Sequence, residues 1–353
     1  MYTISAKECA YLDEISYSKS KQKIFVDHAI KRQIGVKKLI SDIFLVSSAL
    51  FKVMVPVILI VKIAEILGFV SWLTILLAPV LKFMGLPAEM ALGLTTTILT
   101  NPYAGLLVFA STPEITQLTV AQTTIIASFM LFTHSLVLEA AISAKAGLRA
   151  ITTVTLRLFC GLLFCVSLHL IFTIFDLYSQ TSILSLPSMS ENPSWSQWIG
   201  DQIIGLAFIQ LIIILLLTAL EVLRRIGIEK FIHNLMKPFL KLLCIGEQAS
   251  TIVVVGFTLG LAFGGGLLMR NVKQGLMPAK SAAGALILIN LFHSIFEDTA
   301  VLMLLGPSLF VILVARGIFV FVITWLIMGC LSLINDNMFE KIIFNSEIMP
   351  DKR

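Results

Sequence analysis

Long stretches of this chain contain no lysine or arginine: none occurs from 83 to 144, from 158 to 223, from 281 to 315 or from 317 to 340. Residues 39–335 hold only 28 of the chain's 47 charged side chains. A water-soluble domain is about 25% charged, whereas this chain is 13% charged and 58% hydrophobic, with a mean hydropathy of +0.96. An ordinary soluble enzyme is excluded. Apolar runs of this length read as membrane-crossing helices, so the expected fold is an all-α polytopic membrane protein embedded in a lipid bilayer.

The remaining bulk features narrow the class further. A formal charge of +5 with no basic-aromatic patch gives no nucleic-acid partner. Five cysteines (Cys9, Cys160, Cys165, Cys244, Cys330) form no CxxC pair and read as small apolar packing groups. Residues 1–38 have no apolar core like that of a cleavable signal. With eight basic and four acidic side chains, they read as a cytoplasmic arm.

Six segments are long enough to cross: Ile43–Leu67, Val120–Ala140, Ile151–Leu177, Ile199–Leu223, Ser281–Leu305 and Leu309–Ile334. Two more, Met90–Ala110 and Ser250–Met269, are interrupted by helix breakers. The first contains Asn101-Pro102-Tyr103-Ala104-Gly105, and the second Gly260 and Gly264-Gly265-Gly266. Basic clusters at Lys145/Arg149, at 224–241 and at 270–280 are expected on the cytoplasmic side. That rule is obeyed if both interrupted segments are re-entrant hairpins. Both termini are then cytoplasmic, in a bacterial inner (plasma) membrane. The alternative has eight to ten full spans: eight put Lys145/Arg149 outside, and ten drive Lys237 and Lys241 outward. Ile228–Leu243, and more weakly Gly68–Met84, read as helices lying on the membrane surface.

Sliding the chain on itself by 159 residues aligns its unusual residues. Gly68 meets Gly227, Pro79 Pro238, Lys82 Lys241, Gly105 Gly264, His134-Ser135 His293-Ser294, Glu139 Asp298, and Arg157 Arg316. Matches among breakers and intramembrane polar residues point to duplication. Each half has three crossings, a surface helix and a hairpin, so the two repeats are inverted. That architecture is typical of secondary transporters. The chain divides into a polar arm (1–38), repeat one (39–178), an external loop (179–198), repeat two (199–335) and a cytoplasmic tail (336–353).

The stretch from Phe51-Lys52-Val53-Met54-Val55-Pro56 through Pro79, Gly85-Leu86-Pro87-Ala88-Glu89, Asn101–Gly105, His134-Ser135, Glu139 and Arg157 resembles the nucleoside-recognition (gate) domain. That domain is shared by concentrative nucleoside transporter-like proteins, the membrane part of ferrous-iron transporter B and the spore maturation membrane proteins. The likeness is clearest over 51–160 and weaker over 228–325. It implies a fold of hairpins and broken helices and says little about substrate. The chain lacks the Gln/Glu-rich hairpin tip of nucleoside carriers and the GxxxxGK[ST] loop of the iron transporter.

Candidate substrate- or ion-binding residues are Asn101, Gly105, His134, Ser135, Glu139, Gly264, His293, Ser294, Glu297 and Asp298, with Arg157 and Arg316 as structural or coupling residues. An ionisable side chain within a span is costly and normally faces the bundle interior or a wet cavity. Histidine also titrates near neutrality. The pairs His134/Glu139 and His293/Asp298 thus read as a proton relay or solute contact, or as hydrogen-bond networks joining the repeats. A metal site stays open, although no HxxxH or His/Cys cluster supports it. Five residues turn about 500° on a helix, leaving each pair roughly 140° apart. Convergence therefore needs a break, and neither interval contains Gly or Pro. Matching offsets suggest the salt bridges Arg157–Glu139 and Arg316–Asp298. The hairpin glycines either free backbone groups for a ligand or allow close packing. Thr95–Thr97 and Thr100 read as bonding their own helix, and Lys62 with Glu65 as an ion pair.

No catalytic motif and no cofactor-binding motif occurs, so the chain is not read as an enzyme. The leading expectation is a secondary transporter of a small polar, nucleoside-like solute, coupled to protons or sodium, with a homo-oligomer left open. Alternatives are a divalent-metal permease resembling the iron transporter and a non-transporting membrane assembly factor.

Overall fold

The computed structural model describes residues 36–187, 189–190, 194–227, 261–273 and 279–335, with scattered positions within 234–257 and 338–345. Most of the polar arm, the tail and the expected surface helix over 228–243 lie outside the described residues, as does Gly260.

Twelve helices carry the fold among the described residues. They are α1 (Val36–Ile66), α2 (Phe69–Phe83), α3 (Ala91–Leu99), α4 (Pro102–Ala110), α5 (Val120–Thr133), α6 (Leu136–Lys145), α7 (Ala150–Ile174), α8 (Trp195–Ile226), α9 (Leu261–Lys273), α10 (Ala279–Leu291), α11 (Glu297–Leu302) and α12 (Arg316–Leu333). A π-helical turn, Phe310–Ala315, leads into α12. No named strand occurs among the described residues. Five helical stretches are long and apolar enough to cross a membrane: Leu39–Ile66, Val120–Lys145, Ala150–Ile174, Trp195–Leu223 and Phe310–Leu333. The protein is an all-α polytopic membrane protein. The sixth expected crossing, Ser281–Leu305, is broken into α10 and α11.

Exposure sorts these helices. Helices α1 and α8 turn Phe44, Ile60, Ile66, Ile203 and Leu215 outward, an apolar surface suited to lipid. By contrast α5 buries every residue from Thr123 to Thr133, and α10 every residue from Ser281 to Leu291. These two form the centre of the bundle.

Met90–Ala110 folds as a hairpin. Helices α3 and α4 have nine residues each, about 14 Å of rise against a hydrocarbon core of about 30 Å. They pack against each other, and neither can cross alone. The turn at Asn101 is specified locally. Its side chain accepts a hydrogen bond from the Ala104 N–H (2.9 Å), and Pro102 starts α4, where a missing N–H costs nothing. Gly105 lies inside α4, where a Cβ would collide with Thr97 Oγ1. Similarly, Gly264 lies inside α9 rather than at a tip, and a Cβ there would sit 2.7 Å from Gly256 Cα. The glycines serve close helix packing rather than ligand-facing backbone.

The 159-residue offset recurs in the folded chain. Val36, Pro102 and Val120 lie in helices, and so do their counterparts Trp195, Leu261 and Ala279. Gly68 (φ 73°) and Gly227 (φ 84°) share the left-handed conformation that glycine enters without strain. Ser135 (φ 51°) and Ser294 (φ 44°) also share it, and serine seldom adopts it.

Candidate functional site

Helix α5 stops at Thr133 because His134 leaves helical geometry (φ −59°, ψ 151°) and Ser135 turns left-handed. Helix α6 then restarts at Leu136. The same break at Ser294 separates α10 from α11. Breaking the helix removes the angular separation of about 140° that a continuous one would impose. Glu139 Oε1 comes within 3.2 Å of His134 Nε2.

Four side chains converge. His134 Nε2 lies 3.1 Å from His293 Nε2 and 3.3 Å from Asp298 Oδ2. His293 Nε2 lies 3.1 Å from Glu139 Oε1. The contact His293–Glu139 in one direction is matched by His134–Asp298 in the other. That reciprocity is the mark of a two-fold relation. The local pseudo-two-fold axis therefore passes between the two imidazoles. All four residues are buried.

The backbone fixes the tautomers. His134 Nδ1 lies 2.9 Å from Met130 O and His293 Nδ1 3.0 Å from Ile289 O. A carbonyl only accepts, so each Nδ1 carries a hydrogen and donates it. In a neutral imidazole the Nε2 atom then presents a lone pair. The two lone pairs face each other and the carboxylates at the centre of the cluster.

Arg157 braces the first break. Its Nε donates to Phe132 O (2.6 Å), Nη2 to His134 O (3.0 Å) and Nη1 to Glu139 Oε2. The break frees carbonyls that the guanidinium takes up, and a single fully buried cation also neutralises Glu139. The expected counterpart in repeat two is not formed. Arg316 is buried with its guanidinium carbon 4.6 Å from the Phe292 ring centroid, and its Nε and Nη1 have no hydrogen-bond partner. Aspartate is one methylene shorter than glutamate, so Asp298 offers less reach. Its Oδ2 also lacks a hydrogen bond, because the nearby His134 Nε2 is close enough for an ion pair but not aligned for a bond.

Other predicted residues surround this centre. Ser135 ties the first break to the hairpin: its N–H donates to Thr97 O (3.1 Å) and its Oγ to Thr100 O (2.7 Å). In repeat two, Ile295 N–H donates to Phe257 O (3.0 Å). Glu297 stands outside the cluster and accepts from Tyr103 Oη (3.3 Å). The side chain of Asn101 is occupied as a helix cap, while Gly105 and Gly264 are packing positions. Lys62 pairs with Glu65 at 3.2 Å, and Thr97 and Thr100 bond their own helix. A buried Ser143–Asn290 pair (3.1 and 3.0 Å) joins the repeats beside the cluster. Single polar residues in apolar runs are its sole sequence signal, and neither aligns with the other at the 159-residue offset.

A cleft of about 270 Å³ lies between α1, α3, α4 and α8. Glu65, Glu89 and Glu114 line it together with Lys62, giving it an acidic balance. A larger hollow of about 670 Å³ between α1 and α8, lined by Ile40, Ile43, Phe44 and Phe51, is mainly apolar and includes no residue of the cluster.

No protein-family model matches the chain, and no solved structure matches it. The chain is 28% identical over 269 residues to the uncharacterized membrane protein YvoD of Bacillus subtilis (strain 168), covering 75% of this chain and 85% of that protein. This agrees with an integral membrane protein.

Proposed function

We propose that the protein is a secondary transporter of a small polar solute or ion, working by alternating access of two inverted repeats, with the four-residue cluster as its cation-binding centre. The observation that carries this reading is the reciprocal contact His293–Glu139 and His134–Asp298 where the two broken helices meet. Broken helices meeting between repeats are where secondary transporters bind their ions and substrates. The cluster atoms stand 3.1–3.3 Å apart, too close for an organic molecule to enter between them. A nucleoside-like cargo would instead occupy the cleft beside α1. We place the protein in the bacterial inner membrane with both termini cytoplasmic, on the basic clusters at 145–149, 224–241 and 270–280.

Uptake into proteoliposomes, driven in turn by pH, sodium and divalent-cation gradients, tests the proposal. The panel should cover nucleosides, amino acids, organic acids and metal ions. Gradient-driven uptake that falls at least tenfold in Asp298→Asn is expected. A folded protein that moves nothing in the panel, and an Asp298→Asn variant indistinguishable from wild type, would overturn it.

A further inference from the structure

The centre of the cluster is built from acceptors. With both Nδ1 hydrogens held by Met130 O and Ile289 O, the two neutral imidazoles direct Nε2 lone pairs inward. Glu139 Oε1 lies 3.1–3.2 Å from both Nε2 atoms and Asp298 Oδ2 lies 3.3 Å from that of His134, and acceptors this close need a positive species among them. A single hydrogen on one Nε2 would relieve the imidazole contact, yet Asp298 Oδ2 has no hydrogen bond in this arrangement. A metal ion takes lone pairs from both imidazoles and from Asp298 at once.

We propose that His134, His293 and Asp298 bind one divalent first-row transition-metal ion. The ligand atoms of His134, His293 and Asp298 all lie within 4.8 Å of one another. A tetrahedral site with bonds of 2.0–2.1 Å has edges of about 3.3–3.4 Å, and His134 Nε2 stands 3.1 Å from His293 Nε2 and 3.3 Å from Asp298 Oδ2. Imidazole nitrogen with carboxylate suits zinc, iron, manganese or cobalt, whereas magnesium and calcium want oxygen shells. Outer contacts match those of metal-ligating histidines, each of which donates its other N–H to a backbone carbonyl. The two carboxylates are also prepared differently. Arg157 holds Glu139 through Oε2 and leaves Oε1 inward. Arg316, at the equivalent position, rests over Phe292 and leaves Asp298 open.

Binding stands independently of transport; that the metal is the transported ion rests on the reading above. The test uses purified full-length protein in detergent, stripped with chelator and titrated with Co²⁺. One equivalent should bind, with the visible ligand-field bands of nitrogen-oxygen coordination, and Zn²⁺ should displace it while a hundredfold excess of Mg²⁺ should not. Asp298→Asn and His293→Gln should each weaken Co²⁺ binding at least tenfold and remove the Co²⁺-induced rise in melting temperature. If one variant fails to fold, the other and the Zn²⁺ competition decide. No stoichiometric band in the wild type, or a band unchanged in a folded variant, overturns the metal site. Stoichiometric binding without metal uptake into proteoliposomes overturns the transported-ion assignment and leaves the site intact.

Discussion

His134 and His293, 159 positions apart, meet Nε2 to Nε2 at 3.1 Å. Each is the last residue before a left-handed serine, and each anchors its Nδ1 on the carbonyl four residues earlier. Two copies of one local structure thus face each other across the pseudo-two-fold axis, and their carboxylates cross over to the opposite histidine. The differences between the copies, Glu139 held by Arg157 and Asp298 without a hydrogen bond to Arg316, supply the most discriminating predictions.

Replacing the two arginines should have unequal effects. Arg157→Met removes three hydrogen bonds and leaves Glu139 as an unpaired buried charge, a loss of about 3–5 kcal/mol. Arg316→Met removes a guanidinium with two unpartnered nitrogens and a contact with Phe292, so its cost should stay below about 2 kcal/mol. Thermal unfolding of both variants in the same detergent checks the order. Equal losses would mean that Arg316 holds its repeat as Arg157 does.

Glycine substitutions separate packing from lipid exposure. Gly264→Ala puts a methyl group 2.7 Å from the Gly256 backbone and should destabilise by about 1–3 kcal/mol. Gly329→Ala meets nothing within 4 Å and should be neutral or raise stability by up to about 1 kcal/mol, through helix propensity. The measurement is again the unfolding midpoint.

The latch between hairpin and broken helix depends on the Ser135 hydroxyl. Ser135→Ala loses its bond to Thr100 O while keeping a side chain at positive φ, for a cost of about 1–2 kcal/mol. Hydrogen exchange should rise at the hairpin turn, residues 99–102, and stay unchanged in α7. Uniform exchange across both regions would contradict a local latch.

Topology has its own test. In a cysteine-free background, Ile183→Cys, which lies in an exposed loop, should react with an impermeant maleimide added outside intact cells. Lys145→Cys should react only after permeabilisation. The reverse pattern would invert the orientation drawn from the basic clusters.

Much of this was legible in the sequence, and the limits have physical causes. Long apolar runs mark the helices able to cross a membrane, because lipid offers charge no partner. The offset of 159 foretells both the repeat and the residues His134, Glu139, His293 and Asp298. Their convergence is not legible, because it depends on Ser135 and Ser294 adopting a left-handed conformation that local preference disfavours. Tertiary contacts hold the first break: Arg157 takes its carbonyls, and Thr97 and Thr100 take the Ser135 donors. The run Gly264-Gly265-Gly266 misleads in the opposite sense. Glycine suggests a turn, yet α9 runs through it because its missing side chains let another helix approach. Similarly, residue type alone pairs Arg316 with Asp298, and the shorter side chain undoes that pairing.

The most direct test compares the two histidines. His134→Gln and His293→Gln are made separately, reconstituted, and assayed for gradient-driven uptake of whichever solute or ion wild type carries. Because both imidazoles flank one axis and share one centre, the account predicts that each variant, still folded, loses at least tenfold in uptake rate, and by a similar factor. A folded variant of either histidine that transports at the wild-type rate would contradict it.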